Sequence, residues 1–340
     1  MRKSCKVLLI VAGVLIGIGA IFCAMGFAFG GGNFMSDINR NYNQMSATFD
    51  EVEVIDVFAG SSNVVIKESA AKDTKITYSV SEDFSFDVNK TGKKLSVEFK
   101  DYRKWFEFIR FIGAGKCEVI IEVPDNTLDS LEVKTSSGSI EAKTLNSLVT
   151  KLTATSGSIE AGGNVGEMTI SCSSGSIKVV EGTRGESLDA KGTSGSLWIS
   201  GDFKKELKAK ITSGRITLKD VSAEKTTLEN TSGSINAENV KAATVDTASS
   251  SGSISFYDVI SSGDMYVRST SGSVKLDRVD AQNYELKSVS GSIRATILTP
   301  KIYDLRTTSG STSAPFSDSD SKGLLTARAT SGSIRIELAQ

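Results

Sequence analysis

The feature that most constrains this fold is a serine–glycine pair that returns along the chain at nearly constant spacing. Eleven of the pairs in the 340-residue sequence keep this register, their glycines lie 18 to 22 residues apart, and serine follows the glycine in ten of them. A fixed period of about 19 residues indicates stacked structural repeats rather than a flexible linker. The eleven glycines are Gly138, Gly157, Gly175, Gly195, Gly214, Gly233, Gly252, Gly272, Gly291, Gly310 and Gly332.

Apolar residues keep constant positions relative to these glycines. With the glycine counted as zero, they recur at −7, −5, +2 and +4, and usually at +7. Steps of two are typical of a strand with one buried face, and the odd steps between these runs indicate three corners in each repeat. The sequence therefore predicts an all-β protein, a parallel β-solenoid of about eleven coils that pair in register.

We expect each glycine to occupy a corner, because a backbone with positive φ favours a residue without a Cβ. Serine at −1 continues the inward phase of the preceding strand. Its hydroxyl is therefore predicted to lie inside the corner and to bond the backbone of adjacent coils. The alternative is an exposed hydroxyl ladder that contacts glycan or ice. Arg215 replaces the serine at +1 in one repeat and is the exception in that column.

The amino terminus predicts a membrane anchor. Residues 7–29 form a 23-residue stretch without charge, preceded by Arg2, Lys3 and Lys6. Such a stretch is long enough to cross a bilayer as a helix, and the positive charges place the start of the chain in the cytoplasm. We expect residues 1–6 to be cytoplasmic, 7–29 to be a single-pass signal anchor, and everything beyond to be extracellular. The alternative is a cleaved signal peptide.

The extracellular part divides into a linker, a cap and the repeats. We assign residues 30–48 to the linker, 49–127 to an irregular N-terminal β cap that contains a degenerate first coil, and 128–340 to the solenoid. The final segment "SGSIRIELAQ" ends on a strand with nothing after it. Because an unpaired strand edge invites pairing with another chain, we expect end-to-end self-association at this C-terminal edge.

One segment departs from the repeat pattern and holds the candidate contact residues. The stretch "DYRKWFEFIRFIG" at 101–113 mixes aromatic and basic side chains. These either fold over the first coil as a cap or form an exposed loop that touches the outer membrane leaflet or a partner protein. The candidate contact residues are Trp105, Phe106, Phe108, Arg110 and Phe111.

Composition argues against catalysis and against nucleic-acid binding. The chain has no histidine, which removes the commonest general base and the commonest metal ligand. Its net charge is −1, which offers no basic surface for nucleic acid. The four cysteines are isolated and form no CxxC pair. We expect no enzyme activity, no cofactor and no metal site.

Four blocks of sequence, in order, resemble the bacterial "putative adhesin" family, a domain of unknown function numbered 4097. They are "FDEVEVIDVFAGSSNVVI", "KKLSVEFK", "VIIEVP" and "LEVKTSSGSIEA". The resemblance covers about residues 48–340. It implies an anchored or secreted envelope β-solenoid that binds cell-wall glycan or an envelope protein as an adhesin. The alternative it leaves open is an accessory or scaffold protein of a cell-envelope stress response. It carries no catalytic motif.

Overall fold

The computed structural model describes residues 43–102, 117–125, 127–317 and 322–339, together with Ile16, Gly17 and Gly19. Those last three residues are helical, and the rest of the predicted anchor at 7–29 lies outside the described residues. In the described part of the chain, no helix combines the length and the apolar character needed to cross a membrane. The remainder is all-β, a parallel β-solenoid of about ten turns. The predicted solenoid fold is confirmed.

The described residues form twenty strands. The first seven are β1 (Asn43–Phe49), β2 (Val54–Phe58), β3 (Asn63–Ser69), β4 (Thr74–Val80), β5 (Phe84–Thr91), β6 (Lys94–Asp101) and β7 (Glu118–Pro124). The next seven are β8 (Leu128–Thr135), β9 (Ile140–Ser156), β10 (Ile159–Val179), β11 (Arg184–Ser251), β12 (Ile254–Ser261), β13 (Asp264–Ser271) and β14 (Val274–Val279). The last six are β15 (Asn283–Ser290), β16 (Ile293–Ile297), β17 (Ile302–Ser309), β18 (Thr312–Ser313), β19 (Leu324–Ser331) and β20 (Ile334–Leu338).

Successive coils pair in parallel and in register. Strand β10 lies between β9 and β11, and Gly175 pairs with Gly195 while Ile159 pairs with Ile140. Strands β10 and β11 remain extended through several corners, so each contributes sides to more than one coil. Equivalent side chains of neighbouring coils therefore lie above one another, about 4.8 Å apart, in continuous columns.

Buried side chains divide each coil into three short sides. In one turn of β11 the buried positions are Ile216, Leu218, Val221, Ala223, Thr226, Leu228 and Asn230. The steps of three after Leu218 and after Ala223 mark two of the corners, and the glycine lies at the third. Four coils in succession have a residue with positive φ at +6, directly before the buried residue at +7. These residues are Asp220, Asn239, Asp258 and Arg278.

The glycines form one continuous column at the third corner. A Cβ added to Gly214 would overlap the carbonyl oxygen of Gly195, and a Cβ on Gly233 would overlap that of Gly214 in the same way. Nine of the eleven glycines have a positive φ, which is 138° at Gly214. Both the close approach and the backbone conformation require a residue without a side chain.

We predict that Gly252→Ala destabilises the solenoid by about 3–5 kcal/mol, because a new Cβ would collide with the Gly233 backbone and force two coils apart. Gly92→Ala is the matched control. Its φ is also positive, at 59°, but the space around it is open, so only backbone strain of about 1 kcal/mol is expected. Urea unfolding of both variants measures the difference. Equal losses of stability would contradict a steric role for the glycine column.

At the N-terminal end, the order of coils in the stack differs from their order in the chain. Ile55 of β2 pairs with Leu95 of β6 on one side and with Leu131 of β8 on the other. Strand β3 likewise lies between β7 and β9. The coil made by β6 and β7 is therefore outermost, although it follows β2 and β3 in the sequence.

Antiparallel strands close this N-terminal end. Strand β5 pairs with β6, β4 pairs with β7, and β1 pairs with β4, all antiparallel. Aromatic rings pack beneath them: the Phe86 ring lies 5.5 Å from Phe99 and 5.8 Å from Tyr78 between centroids. The parallel stack thus ends in hairpin strands that cover the apolar interior.

The C-terminal end corrects the prediction of a bare terminal edge. Strand β19 lies between β15 and β17, and Ile334 of β20 pairs with both Ile293 and Thr312. The last coil of the chain is therefore one step inside the stack, and the coil formed by β17 and β18 is outermost. Among the described residues, β17 has a pairing partner on one side only.

The polarity of the two coils explains this order. Ile334 and Ile336 are almost fully buried, whereas the outermost coil has Thr312 in place of Ile334 and only half-buried Tyr303 and Leu305. Burial of apolar surface is favourable in proportion to its area. The more apolar coil therefore lies inside, and the more polar one faces the end.

Candidate functional site

The side chains at the glycine corner face the opposite way from the prediction. In the coil of Gly252, Ser249 at −3 is buried, whereas Ser250 and Ser251 are exposed. The serine at −1 is exposed in all eleven repeats. The predicted inward orientation of this serine is therefore wrong. Since four residues lie between the inward positions −3 and +2, the chain turns outward before the glycine and returns only after it.

In several repeats the residue at −3 makes the hydrogen bonds that are predicted for the serine at −1. Thr135 Oγ1 donates to the carbonyl oxygen of Gly60 at 3.0 Å, and Asn230 Nδ2 donates to that of Gly214 at 2.9 Å. Cys172 Sγ donates to Gly157 O at 3.0 Å, and burial raises the pKa of the thiol, which keeps its proton in place. These bonds give corner carbonyls a side-chain donor from inside the coil.

We call the exposed residues at −2, −1 and +1 of the eleven repeats the hydroxyl ridge. Position −2 is serine or threonine in ten repeats, with Val289 as the exception, and position +1 is serine in ten, with Arg215 as the exception. The column at −1 is Ser137, Ser156, Ser174, Ser194, Ser213, Ser232, Ser251, Ser271, Ser290, Ser309 and Ser331. At about 4.8 Å per coil, the ridge extends for roughly 50 Å along the solenoid.

Hydroxyls at −1 are open to a ligand. Among the described residues, none of these eleven side chains makes a hydrogen bond within the protein. Hydroxyls at +1 interact along their column instead, as in Ser158 to Ser176 at 3.1 Å. Arg215 Nε donates to Ser234 Oγ at 3.2 Å, so this guanidinium is part of the ridge. Each −1 hydroxyl can both donate and accept a hydrogen bond.

Charged residues elsewhere on the solenoid form ladders that cross from coil to coil. The Glu160 carboxylate lies 2.9 Å from Lys143 Nζ and 2.8 Å from Lys178 Nζ. The hydrogen bond from Lys178, followed by that from Lys143, holds the pKa of Glu160 below its usual range. In the described part of the chain, no three Cys, Asp or Glu residues come together in a way that suits a metal ion. The ion pairs of Glu160 connect neighbouring coils.

We predict that acid weakens the solenoid through this ladder. Because folding lowers the pKa of Glu160, its contribution is complete above the unfolded carboxyl pKa of about 4.3 and is lost as pH falls through the lower folded value. Glu160→Gln should lower the free energy of unfolding at pH 7 by about 0.5–1 kcal/mol and flatten its fall below about pH 4.5.

Glu238→Gln is the control for this prediction, because Glu238 is exposed and makes no ion pair among the described residues. Urea unfolding of both variants between neutral and acid pH measures the effect. A Glu160→Gln profile that matches the Glu238→Gln profile would contradict a stabilising ladder.

The aromatic and basic candidates predicted from the sequence lie outside the described residues. They are Trp105, Phe106, Phe108, Arg110 and Phe111, within residues 103–116; residues 318–321, in the 22-residue spacing between Gly310 and Gly332, also lie outside. The exposed hydroxyl ladder is only the alternative prediction from the sequence, because the phase of the preceding strand indicates that serine at −1 points inward. The alternation of period two does not continue through the corner, so the orientation of this serine is established only by the three-dimensional structure.

The repeat sequence of this solenoid matches a known protein family. The sequence matches the family model described as Toastrack DUF4097 over residues 52–249 and again over 241–340. The chain belongs to the Toastrack family. The hydroxyl ridge is therefore a surface of a Toastrack solenoid, and the family model spans every repeat that contributes to it. No curated protein matches this Toastrack chain in sequence.

Several crystal structures are similar to this Toastrack chain. A "putative adhesin" from Bacteroides fragilis is 13% identical and aligns over 88% of this chain and 98% of its own, with a TM-score of 0.34. A "putative adhesin" from Parabacteroides merdae is 15% identical over 89% and 98%, with a TM-score of 0.34. A "putative lipid binding protein" from Parabacteroides distasonis is 13% identical over 89% and 98%, with a TM-score of 0.38.

Proposed function

We propose that this Toastrack protein is a non-catalytic surface protein of the cell envelope that binds an extended hydroxylated polymer, such as cell-wall glycan, along the hydroxyl ridge. The observation that carries the proposal is the column of serines at −1. It is uninterrupted over eleven repeats and exposed throughout, and its hydroxyls have no partner among the described residues.

The ridge suits a long polymer better than a small molecule. A single hydrogen bond to an exposed hydroxyl contributes only about 0.5–1.5 kcal/mol net. A polymer that lies along the column can form many such bonds, and each bond after the first is intramolecular and therefore favoured by a high effective concentration. The ridge is convex, so it offers no pocket that would enclose a small ligand.

The proposed location follows from the amino-terminal sequence. We propose that residues 7–29 anchor the chain by a single pass with residues 1–6 in the cytoplasm, and that the solenoid is held outside the cell. The predicted linker at 30–48 is shorter than expected, because residues 43–49 form strand β1. The polymer that such a surface meets first is the cell wall. An accessory or scaffold role in an envelope stress response needs no exposed hydroxyl column, so the ridge favours direct binding.

We predict that the triple change Ser213→Ala, Ser232→Ala and Ser251→Ala weakens binding of the full-length protein to purified cell wall by about 10- to 100-fold, because three contacts of about 1 kcal/mol are removed. Co-sedimentation with purified wall measures the loss. The urea midpoint should remain unchanged, since these hydroxyls are exposed.

The matched control removes three hydroxyls that lie away from the ridge and from the columns beside it, with Ser130→Ala, Ser187→Ala and Ser262→Ala. It should bind like the parent protein. If the ridge variant also sediments with the wall as tightly as the parent, or if the parent does not sediment at all, the proposed function is wrong.

A further inference from the structure

The two outward columns that border the hydroxyl ridge change in charge along the stack. These columns are positions −4 and +3. In the seven coils from Gly138 to Gly252 they contain four basic and three acidic residues. In the last four coils they are basic at seven of eight positions and acidic at none. The basic residues are Arg268, Lys287, Arg328 and Arg306 at −4, and Lys275, Arg294 and Arg335 at +3. We call these two columns the basic borders.

Strand register makes each basic border continuous. Arg268 pairs with Lys287, Lys287 with Arg328, and Arg328 with Arg306. On the other side of the ridge, Lys275 pairs with Arg294, and Arg294 with Arg335. Neighbours in each border are therefore about 4.8 Å apart. Like charges placed opposite one another on adjacent strands are unfavourable. The folded protein alone gains nothing from this arrangement.

Acidic residues near the borders lie on the side away from the ridge. Asp246 Oδ1 accepts from Arg268 Nη2 at 2.6 Å, and Asp304 Oδ2 accepts from Arg328 Nη2 at 2.5 Å. Lys287 pairs with Glu285, and Arg335 with Glu337. All four carboxylates stand two residues farther from the corner than their partners. The charge is thus separated, with the positive side next to the exposed hydroxyls.

Two basic side chains of the borders are available to a ligand. Lys275 and Arg294 are exposed, and among the described residues neither forms an ion pair. They are neighbours in one border, next to the ridge hydroxyls of Ser273 and Ser292. A negative group held between them would relieve their mutual repulsion and would gain a charge-assisted hydrogen bond from each.

We propose that the ridge between the basic borders is a binding site for a linear, hydroxylated polyanion, meaning a polymer with phosphate or carboxylate groups along a polyol or sugar backbone. This inference rests on the proposed function, since the ridge hydroxyls hold the polymer backbone. The basic borders bind its negative groups from both sides. The seven coils from Gly138 to Gly252 offer the same hydroxyls with mixed charge, so the preference for anions belongs to the C-terminal end.

The test compares polymers that differ in charge and in the anionic group. The full-length protein is titrated with poly(glycerol phosphate), with polygalacturonate and with neutral dextran. We expect at least one of the two anionic polymers to bind about 10-fold more tightly than dextran, and this preference to fall as salt is raised. The anionic polymer that binds more tightly shows whether phosphate or carboxylate is the preferred group.

The decisive variant is Lys275→Ser with Arg294→Ser, because serine already occupies the +3 position in other coils, at Ser255 and Ser313. It should lose about 10-fold in affinity for the preferred anionic polymer and keep its affinity for dextran and for purified wall glycan. The control is Lys219→Ser with Lys241→Ser, which removes the same charge from exposed lysines off the ridge. The control should bind like the parent.

The outcomes separate this inference from the proposed function. If the Lys275→Ser, Arg294→Ser variant binds both polyanions as tightly as the parent, the inference of a polyanion site is wrong. This holds even if the ridge serines are needed for wall binding. An equal loss in the Lys219→Ser, Lys241→Ser control also overturns it, because net charge would then explain the effect. If the Lys275→Ser, Arg294→Ser variant loses polyanion binding while the triple change of ridge serines has no effect on wall binding, the polyanion site stands and the proposed function is wrong.

Discussion

Every coil of this protein depends on the close approach between a corner glycine and the carbonyl oxygen of the corner before it. A side chain at Gly214 or Gly252 would overlap the backbone of the neighbouring coil. Beside this contact the −3 residue is the one that points inward, and Thr135, Cys172 and Asn230 bond corner carbonyls from there. Residues at −2, −1 and +1 face the solvent, so the constraint that builds the stack also creates the hydroxyl ridge.

Much of the fold could be predicted because strand faces are encoded by a period of two. The three odd steps in each repeat indicate three corners, and the structure has them. The phase of Ser251 could not be predicted, since four residues lie between the inward positions on either side of the glycine. Coil order at the ends was also beyond the repeat pattern, although Thr312, a polar residue at an otherwise apolar position, marked the outermost coil.

The candidate site follows from stacking rather than from any local motif. Serine and glycine in one repeat look like an ordinary turn. Eleven such turns form one surface only because the coils stack in register. The basic borders depend further on the exchanged order of the last two coils, which places Arg328 between Lys287 and Arg306. The sequence alone therefore favoured the aromatic stretch around Trp105 over the ridge.

The orientation of the corner is the central claim, and the most direct measurement is the reactivity of single cysteines placed on either side of it. Ser251→Cys and Ser249→Cys are treated with a thiol reagent in the native state, and the modified peptides are quantified by mass spectrometry. We predict that Cys at 251 reacts as fast as an unfolded peptide, while Cys at 249 reacts at least about 100-fold more slowly because it is exposed only on opening of the coil. Fast reaction at 249 with protection at 251 would contradict the account.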